Sequence, residues 1–202
     1  MQPAPQGAAD GLLLKADRSP NTRGAQAFGL SFEAKALLER APHKELSLLY
    51  VLGADLATAY GQEPMARILA GIETLVYQGT NNNAMSQTAH WVLPSAVYAE
   101  KDGTFTNGQG RVQRINQAIP PIGDAKPDWQ ILAELAQRLG VSIGAQDAEG
   151  LFLRAATTER EFAGLTYATI GDQGTVLASA KAGGVAHSSQ PRGSFAPVQS
   201  KA

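Results

Sequence analysis

Chemistry in this sequence concentrates between Leu93 and Gln113, LPSAVYAEKDGTFTNGQGRVQ, where Glu100, Lys101 and Arg111 put charge beside Gly103, Gly108 and Gly110. Glycines let a backbone bend or come close to a ligand, so the stretch reads either as a phosphate-cradling loop or as a polar turn on the rim of a sheet. Asn107-Gly108, between Thr104–Thr106 and Arg111–Gln113, predicts a β-hairpin in which both turn residues take positive φ. Gly108-Gln109-Gly110 is not a dinucleotide fingerprint, because residue 113 is Gln, and no Walker-type phosphate loop is present. Two carboxylates elsewhere stand where an element begins. Asp55 follows Gly53 after an apolar run, and Asp128 opens a helical pattern. Each either serves its own helix as a cap or dipole partner or contacts a ligand. Lys101 is either a solvated turn residue or a ligand contact, and Glu100 with Arg111 reads as an ion pair across the hairpin. His90, between Ala89 and Trp91, reads as a packed or edge histidine rather than an acid–base group.

Composition narrows the chemistry further. The 202 residues hold no Cys, which excludes disulfides, thiolate catalysis and any iron–sulfur cluster ligated from this sequence alone. His43, His90 and His187 are too scattered for a His-rich metal site. Seventeen basic against eighteen acidic residues give a net charge of −1, too little positive field for a nucleic-acid partner. No apolar run is long enough to span a bilayer, and Met1–Gly7 lacks a signal-peptide pattern, so a soluble, unexported chain without direct membrane insertion is expected.

The elements that must position those residues alternate. Leu46–Leu52 is a short apolar run ending at Gly53, which suits a strand buried on both faces of a parallel sheet. A helix near Pro64–Ala70 follows, then strands at Thr74–Tyr77 and Trp91–Leu93, the latter stopped by Pro94. Strand, helix, strand, helix, strand predicts an α/β fold, with a doubly wound, mostly parallel sheet and flanking helices. Ser31 caps an expected helix running to Arg40. Pro127 sits at the first helical position of another, whose stripe is Ile131, Leu132, Leu135, Ala136 and Leu139 and whose stop is Gly140. Trp129, on the first turn of that helix, is expected as a core anchor, and a further helix is expected around Ala148–Phe162. Residues 1–10 read as a flexible lead, 11–170 as one α/β domain, and 171–202 as a largely disordered tail.

The ordered block Glu100–Asn107, Gly110–Gln113, Gly123–Ala136 and Leu139-Gly140 resembles the molybdopterin oxidoreductase family. The likeness extends upstream through Ala89–Ser95, Leu52–Asp55 and Asn21–Ala25, and downstream to Phe162–Tyr167, and so covers roughly residues 20–170. Within the family the chain looks most like the molybdopterin-type domain in the large peripheral-arm subunit of NADH-quinone oxidoreductase (respiratory complex I). The formate dehydrogenase alpha subunit is second. The first likeness implies a structural and assembly portion that supports electron transfer, catalyses no step, and binds no cofactor itself. Iron–sulfur clusters would then sit on other segments or subunits of the respiratory complex, and the location would be cytoplasmic, peripheral on the inner membrane.

The second likeness implies a partial molybdopterin-type domain that holds the guanine dinucleotide of the cofactor through loops at the carboxyl ends of the strands. Matched to the family's pattern, Gly53 and Asp55 follow the first strand, Lys101 stands beside the motif's Glu, and Asp128 precedes the last helix. Those four are the implied cofactor contacts. Gln78-Gly79 departs from the family's usual pair ending in Asp, which removes a carboxylate that would hydrogen-bond guanine or ribose. Asn81–Gln87 departs from its usual Thr-Glu-Thr.

Overall fold

A computed structural model describes residues 20–30 and 38–178 of the chain. The expected helix from Ser31, the lead at 1–10 and the segment 180–202 fall wholly or largely outside the described residues. The first half of the described chain builds a parallel sheet of β1 (Leu48–Leu52), β2 (Thr74–Gly79) and β3 (Trp91–Pro94), in that spatial order. Leu48 pairs with Thr74 through to Leu52 with Gln78, and Val76 with Trp91 through to Gly79 with Pro94. Gly53, at φ 66°, ends β1 in a conformation that favours glycine. After α1 (Thr22–Ala27), the helices are α2 (Leu56–Tyr60) and α3 (Gln62–Leu69) between β1 and β2, and α4 (Ala84–Thr88) between β2 and β3. Gly61, at φ 92°, separates α2 from α3.

The period-two alternation of the strands sorts their side chains onto two faces. Leu49, Val51, Leu75 and Tyr77 join Leu56, Met65, Ile68 and Met85 in one buried cluster, so both crossovers pack on the same face. The opposite face carries Leu48, Leu52 and Trp91, which are 57%, 46% and 65% exposed. This corrects the expectation that Leu46–Leu52 is buried on both faces. The sheet is parallel with flanking helices, as expected, and its strand order shows no reversal among the described residues.

The hairpin at Asn107 forms as predicted, from β4 (Gly103–Thr106) and β5 (Arg111–Ile115). Its turn differs: the positive φ lies at Gly110 (77°), while Asn107 Oδ1 accepts from the backbone N–H of Gln109 and Arg111. A third strand, β6 (Thr175–Val176), pairs with β5, and Leu177 behind it is buried, so folded structure continues past residue 170. Behind this sheet α6 (Ala148–Thr158), the turn Arg160–Phe162 and α7 (Tyr167–Ile170) bring Phe152, Phe162, Tyr167 and Ile170 into a second core around Val112. Arg111 donates to the carbonyls of Gln173 and Gly174, and Glu100 is buried against the backbone N–H of Val97. The Glu100–Arg111 ion pair is therefore corrected: each group has another partner. Helix α5 (Asp128–Arg138) is capped at Pro127, one residue outside the expected position, and Gly140 closes it at φ 77°. Only Ile131 of its stripe is buried. No helix among the described residues is long and apolar enough to cross a membrane.

One glycine is fixed by close approach. A Cβ on Gly71, just after α3, would lie 1.9 Å from the carbonyl oxygen of Ala41. Gly71→Ala is expected to lower the urea midpoint by the equivalent of roughly 1–3 kcal/mol, the usual cost of forced overpacking. Gly108→Ala, where a Cβ meets open space, should leave the midpoint in place. Equal midpoints for the two variants would refute the contact.

Candidate functional site

Where the parallel strands end, four side chains from distant parts of the chain meet. Gln78, near the end of β2, is fully buried. Its Oε1 accepts from the Tyr50 hydroxyl, and its Nε2 donates to Asp128 Oδ1 at 2.9 Å. The Lys101 ammonium pairs with Asp128 Oδ2. Asp128 is brought here by the backbone: Ala96 N–H donates to the Lys126 carbonyl at 2.8 Å and Lys126 N–H to the Pro94 carbonyl at 3.2 Å, which lays the lead-in to α5 along the end of β3. As first residue of α5, Asp128 also faces the positive end of that helix. Lys101 is delivered by the turn at Tyr98–Glu100, which Glu100 closes on itself.

Burial alone would push the Asp128 carboxyl up. The Lys101 ammonium, with help from the Gln78 amide and the nearby Ser95, more than offsets that and holds it below its ordinary value. Burial pushes the Tyr50 hydroxyl up, and the Asp128 charge adds to the effect. A depressed carboxyl contributes stability that is complete above its unfolded pKa, about 3.9, and is lost as pH falls through the folded value. Denaturation titrated downward from about pH 5 should therefore show a shallower acid limb in Asp128→Asn than in the wild type. Parallel limbs would show that the carboxylate is not held by its partners.

The four residues expected from the sequence divide. Lys101 and Asp128 form the centre of the cluster. Gly53 adjoins it, its N–H donating to the Gln78 carbonyl at 2.8 Å, and nothing lies within 4 Å of where its Cβ would be. Asp55 turns to its own helix, where it accepts from the N–H of Ala57 and Thr58 and from the Thr58 hydroxyl. It is thus a cap of α2. Tyr50, Gln78 and Ser95 join the cluster without a motif to announce them. Gln78 is marked in the sequence only as a departure from the family's pattern, and for Gln78 and Ser95 the structural signal is their place at the carboxyl ends of β2 and β3, where open α/β sheets bind ligands. His90 continues the sheet: its Nδ1 accepts from Leu75 N–H and its own N–H donates to the Leu75 carbonyl, both at 2.9 Å. Trp129 is half-buried and lines a cavity of about 260 Å³ with Phe152 and Phe162. Among the described residues no group of His, Asp and Glu could hold a metal ion.

The cluster suits a nucleobase with adjacent N–H donors. A carboxylate offers about four acceptor positions, and Asp128 spends one on each oxygen, on Gln78 and on Lys101. Acceptor capacity remains for further N–H donors. Ser95 Oγ, in a residue only 5% exposed, has no hydrogen-bond partner of ordinary geometry although it faces the same carboxylate.

Residues 10–138 match the family model described as Molybdopterin oxidoreductase. The NADPH-Fe(3+) oxidoreductase subunit alpha of Geobacter sulfurreducens is 35% identical over 170 residues, covering 82% of this chain and 18% of that protein. The F420-dependent formate dehydrogenase 2 subunit alpha of Methanococcus maripaludis is 33% identical over 134 residues, covering 65% of this chain and 20% of that protein. The chain thus spans about a fifth or less of the length of these curated relatives. Among solved structures, acetylene hydratase from Pelobacter acetylenicus shares the fold, with a TM-score of 0.55 at 19% identity over 67% of this chain and 19% of that one.

Proposed function

The chain belongs to the molybdopterin oxidoreductase family, and from that premise we propose that it is the part of a formate dehydrogenase-like oxidoreductase that binds the guanine dinucleotide of a molybdopterin cofactor. The observation that carries the reading is the Asp128 carboxylate, held ionised between Lys101 and Gln78 with acceptor positions to spare. In this reading Asp128 takes the guanine N1–H and N2–H₂, Lys101 keeps the carboxylate charged and oriented, and the open backbone at Gly53 lets the nucleotide approach. The Ser95 hydroxyl supplies a further polar contact. When bound, the cofactor supplies metal-centred redox chemistry. The residues of this chain bind and orient it, and the rest of the oxidoreductase, on other segments or subunits, is its partner.

The cofactor-free alternative is a structural portion of NADH-quinone oxidoreductase, peripheral on the cytoplasmic side of the membrane. Gln78 favours it, since one of its N–H groups and one of its lone pairs are engaged by Asp128 and Tyr50 where the family resemblance implies a carboxylate. The formate dehydrogenase relatives favour cofactor binding instead. Calorimetric titration of GDP and ADP into the full chain separates the two. Guanine selectivity of about tenfold or more, the value of one to two good hydrogen bonds, supports the binding reading, and equal affinities contradict it.

A further inference from the structure

We infer that the site reads the base of a guanine nucleotide and leaves its ribose unread, because the Tyr77 hydroxyl occupies the place from which a carboxylate at the end of β2 would bind the sugar. This rests on the nucleotide reading above and adds the ligand class, guanine nucleotides with or without a 2′-hydroxyl.

In doubly wound sheets that bind nucleotides, glycine after the first strand lets the ligand approach, and an acidic residue about 20 residues further on takes the ribose 2′-hydroxyl. The corresponding places here are Gly53, which closes β1 at φ 66°, and Gly79, the last residue of the adjacent parallel strand β2. Gly79 has no side chain, and the space for one is filled. Residues 77 and 79 share a face of the strand. A Cβ on Gly79 would collide with the Tyr77 hydroxyl and with the ring carbon that bears it. Tyr77 is not free to swing aside. It is 2% exposed, packed in the core with Leu75 and Met85, and its hydroxyl accepts from Asn83 Nδ2 at 2.9 Å. A carboxylate at position 79 therefore requires that Tyr77 be replaced as well.

No neighbouring carboxylate substitutes for it. The sequence holds no Asp or Glu between Glu73 and Glu100, so β2, α4, β3 and the loops that join them carry none. Asn83 Oδ1 accepts from the Ser86 N–H and Asn82 Oδ1 from the Ser86 hydroxyl, which ties both amides to the start of α4. Asp55, beyond β1, is spent on α2. Asp128 is held by Gln78 and Lys101 and is assigned to the base. Thr80 and Asn81, exposed just after β2, are neutral. A hydrogen bond to a charged acceptor is worth roughly 10- to 100-fold in affinity, and a neutral one only a few-fold. The 2′-hydroxyl thus meets no group that would make it decisive.

Calorimetric titration of GDP, 2′-deoxy-GDP and ADP into the full chain tests this. GDP should bind about tenfold or more tighter than ADP, and less than about fivefold tighter than 2′-deoxy-GDP. Guanine preference with a fivefold or larger loss for the deoxy sugar would overturn this inference alone. Equal affinities for GDP and ADP, or no binding, would overturn the nucleotide reading and this inference with it. Thermal unfolding supplies the second arm. Gly79→Asp should lower the melting temperature by about 5 °C through overpacking against Tyr77. Combined with Tyr77→Val, which makes room, it should lower it by clearly less than the sum of the two single shifts. The double variant should also come to prefer GDP over 2′-deoxy-GDP by about tenfold or more. Additive melting shifts, or a folded double variant that binds GDP and still ignores the sugar, would overturn the role given to Tyr77.

Discussion

Asp128→Asn should lose about 100-fold in affinity for GDP while the chain stays folded. Two hydrogen bonds to a charged acceptor are together worth about 3 kcal/mol, roughly two orders of magnitude in binding. The asparagine carbonyl oxygen still accepts from Gln78 Nε2, so the buried amide keeps its partner. The new Nδ2–H₂, in the place of Oδ2, would face both the Lys101 ammonium and the guanine N2–H₂, donor against donor. The variant should accordingly favour xanthosine diphosphate, whose base carries a carbonyl at that position and retains N1–H. Titration of both nucleotides into both proteins checks the reversal. Parallel losses for the two bases would mean that Asp128 acts only through the fold.

Leu75→Ala should have the largest effect on stability, about 3–4 kcal/mol, as a large-to-small change at a fully enclosed site. Leu75 lies in the middle strand, 2% exposed, on the face packed by α2 to α4. For a domain of this size that loss corresponds to a melting temperature lower by about 10 °C. On α5 the outcome is different: Leu135, 38% exposed, should tolerate Asp within about 1 kcal/mol in the chain alone. Calorimetry of the isolated variants distinguishes them, and similar melting shifts for both would contradict the enclosure of Leu75 and the exposure of Leu135.

Local chemistry makes some elements readable from the sequence and leaves others hidden. Strand β1 announces itself by an uninterrupted apolar run closed by Gly53, the hairpin by Asn107-Gly108, and α5 by its stripe and Gly140. The turn at Gly110 escapes the sequence because Asn-Gly suggests a two-residue turn, whereas Asn107 here binds the loop's own backbone with its side chain. Strand β6 has two residues and no period, and only its pairing with β5 defines it. Burial on both sides of β1 is what an unbroken apolar run implies, yet among the described residues Leu48 and Leu52 are exposed while Leu49 and Val51 are buried. In the site, Lys101 and Asp128 are found through family resemblance. Gln78 stands out only as a departure from it, and Tyr50 and Ser95 not at all, because their roles depend on which strand ends lie side by side, and no spacing along the chain encodes that.

The most direct test is analysis of the small molecules released when the native assembly containing this chain is denatured, by mass spectrometry for guanine nucleotide together with metal determination for molybdenum. Guanine nucleotide bound in stoichiometric amount to the chain, with molybdenum in proportion, is the predicted result. A complete assembly that releases no guanine nucleotide would contradict cofactor binding at Asp128.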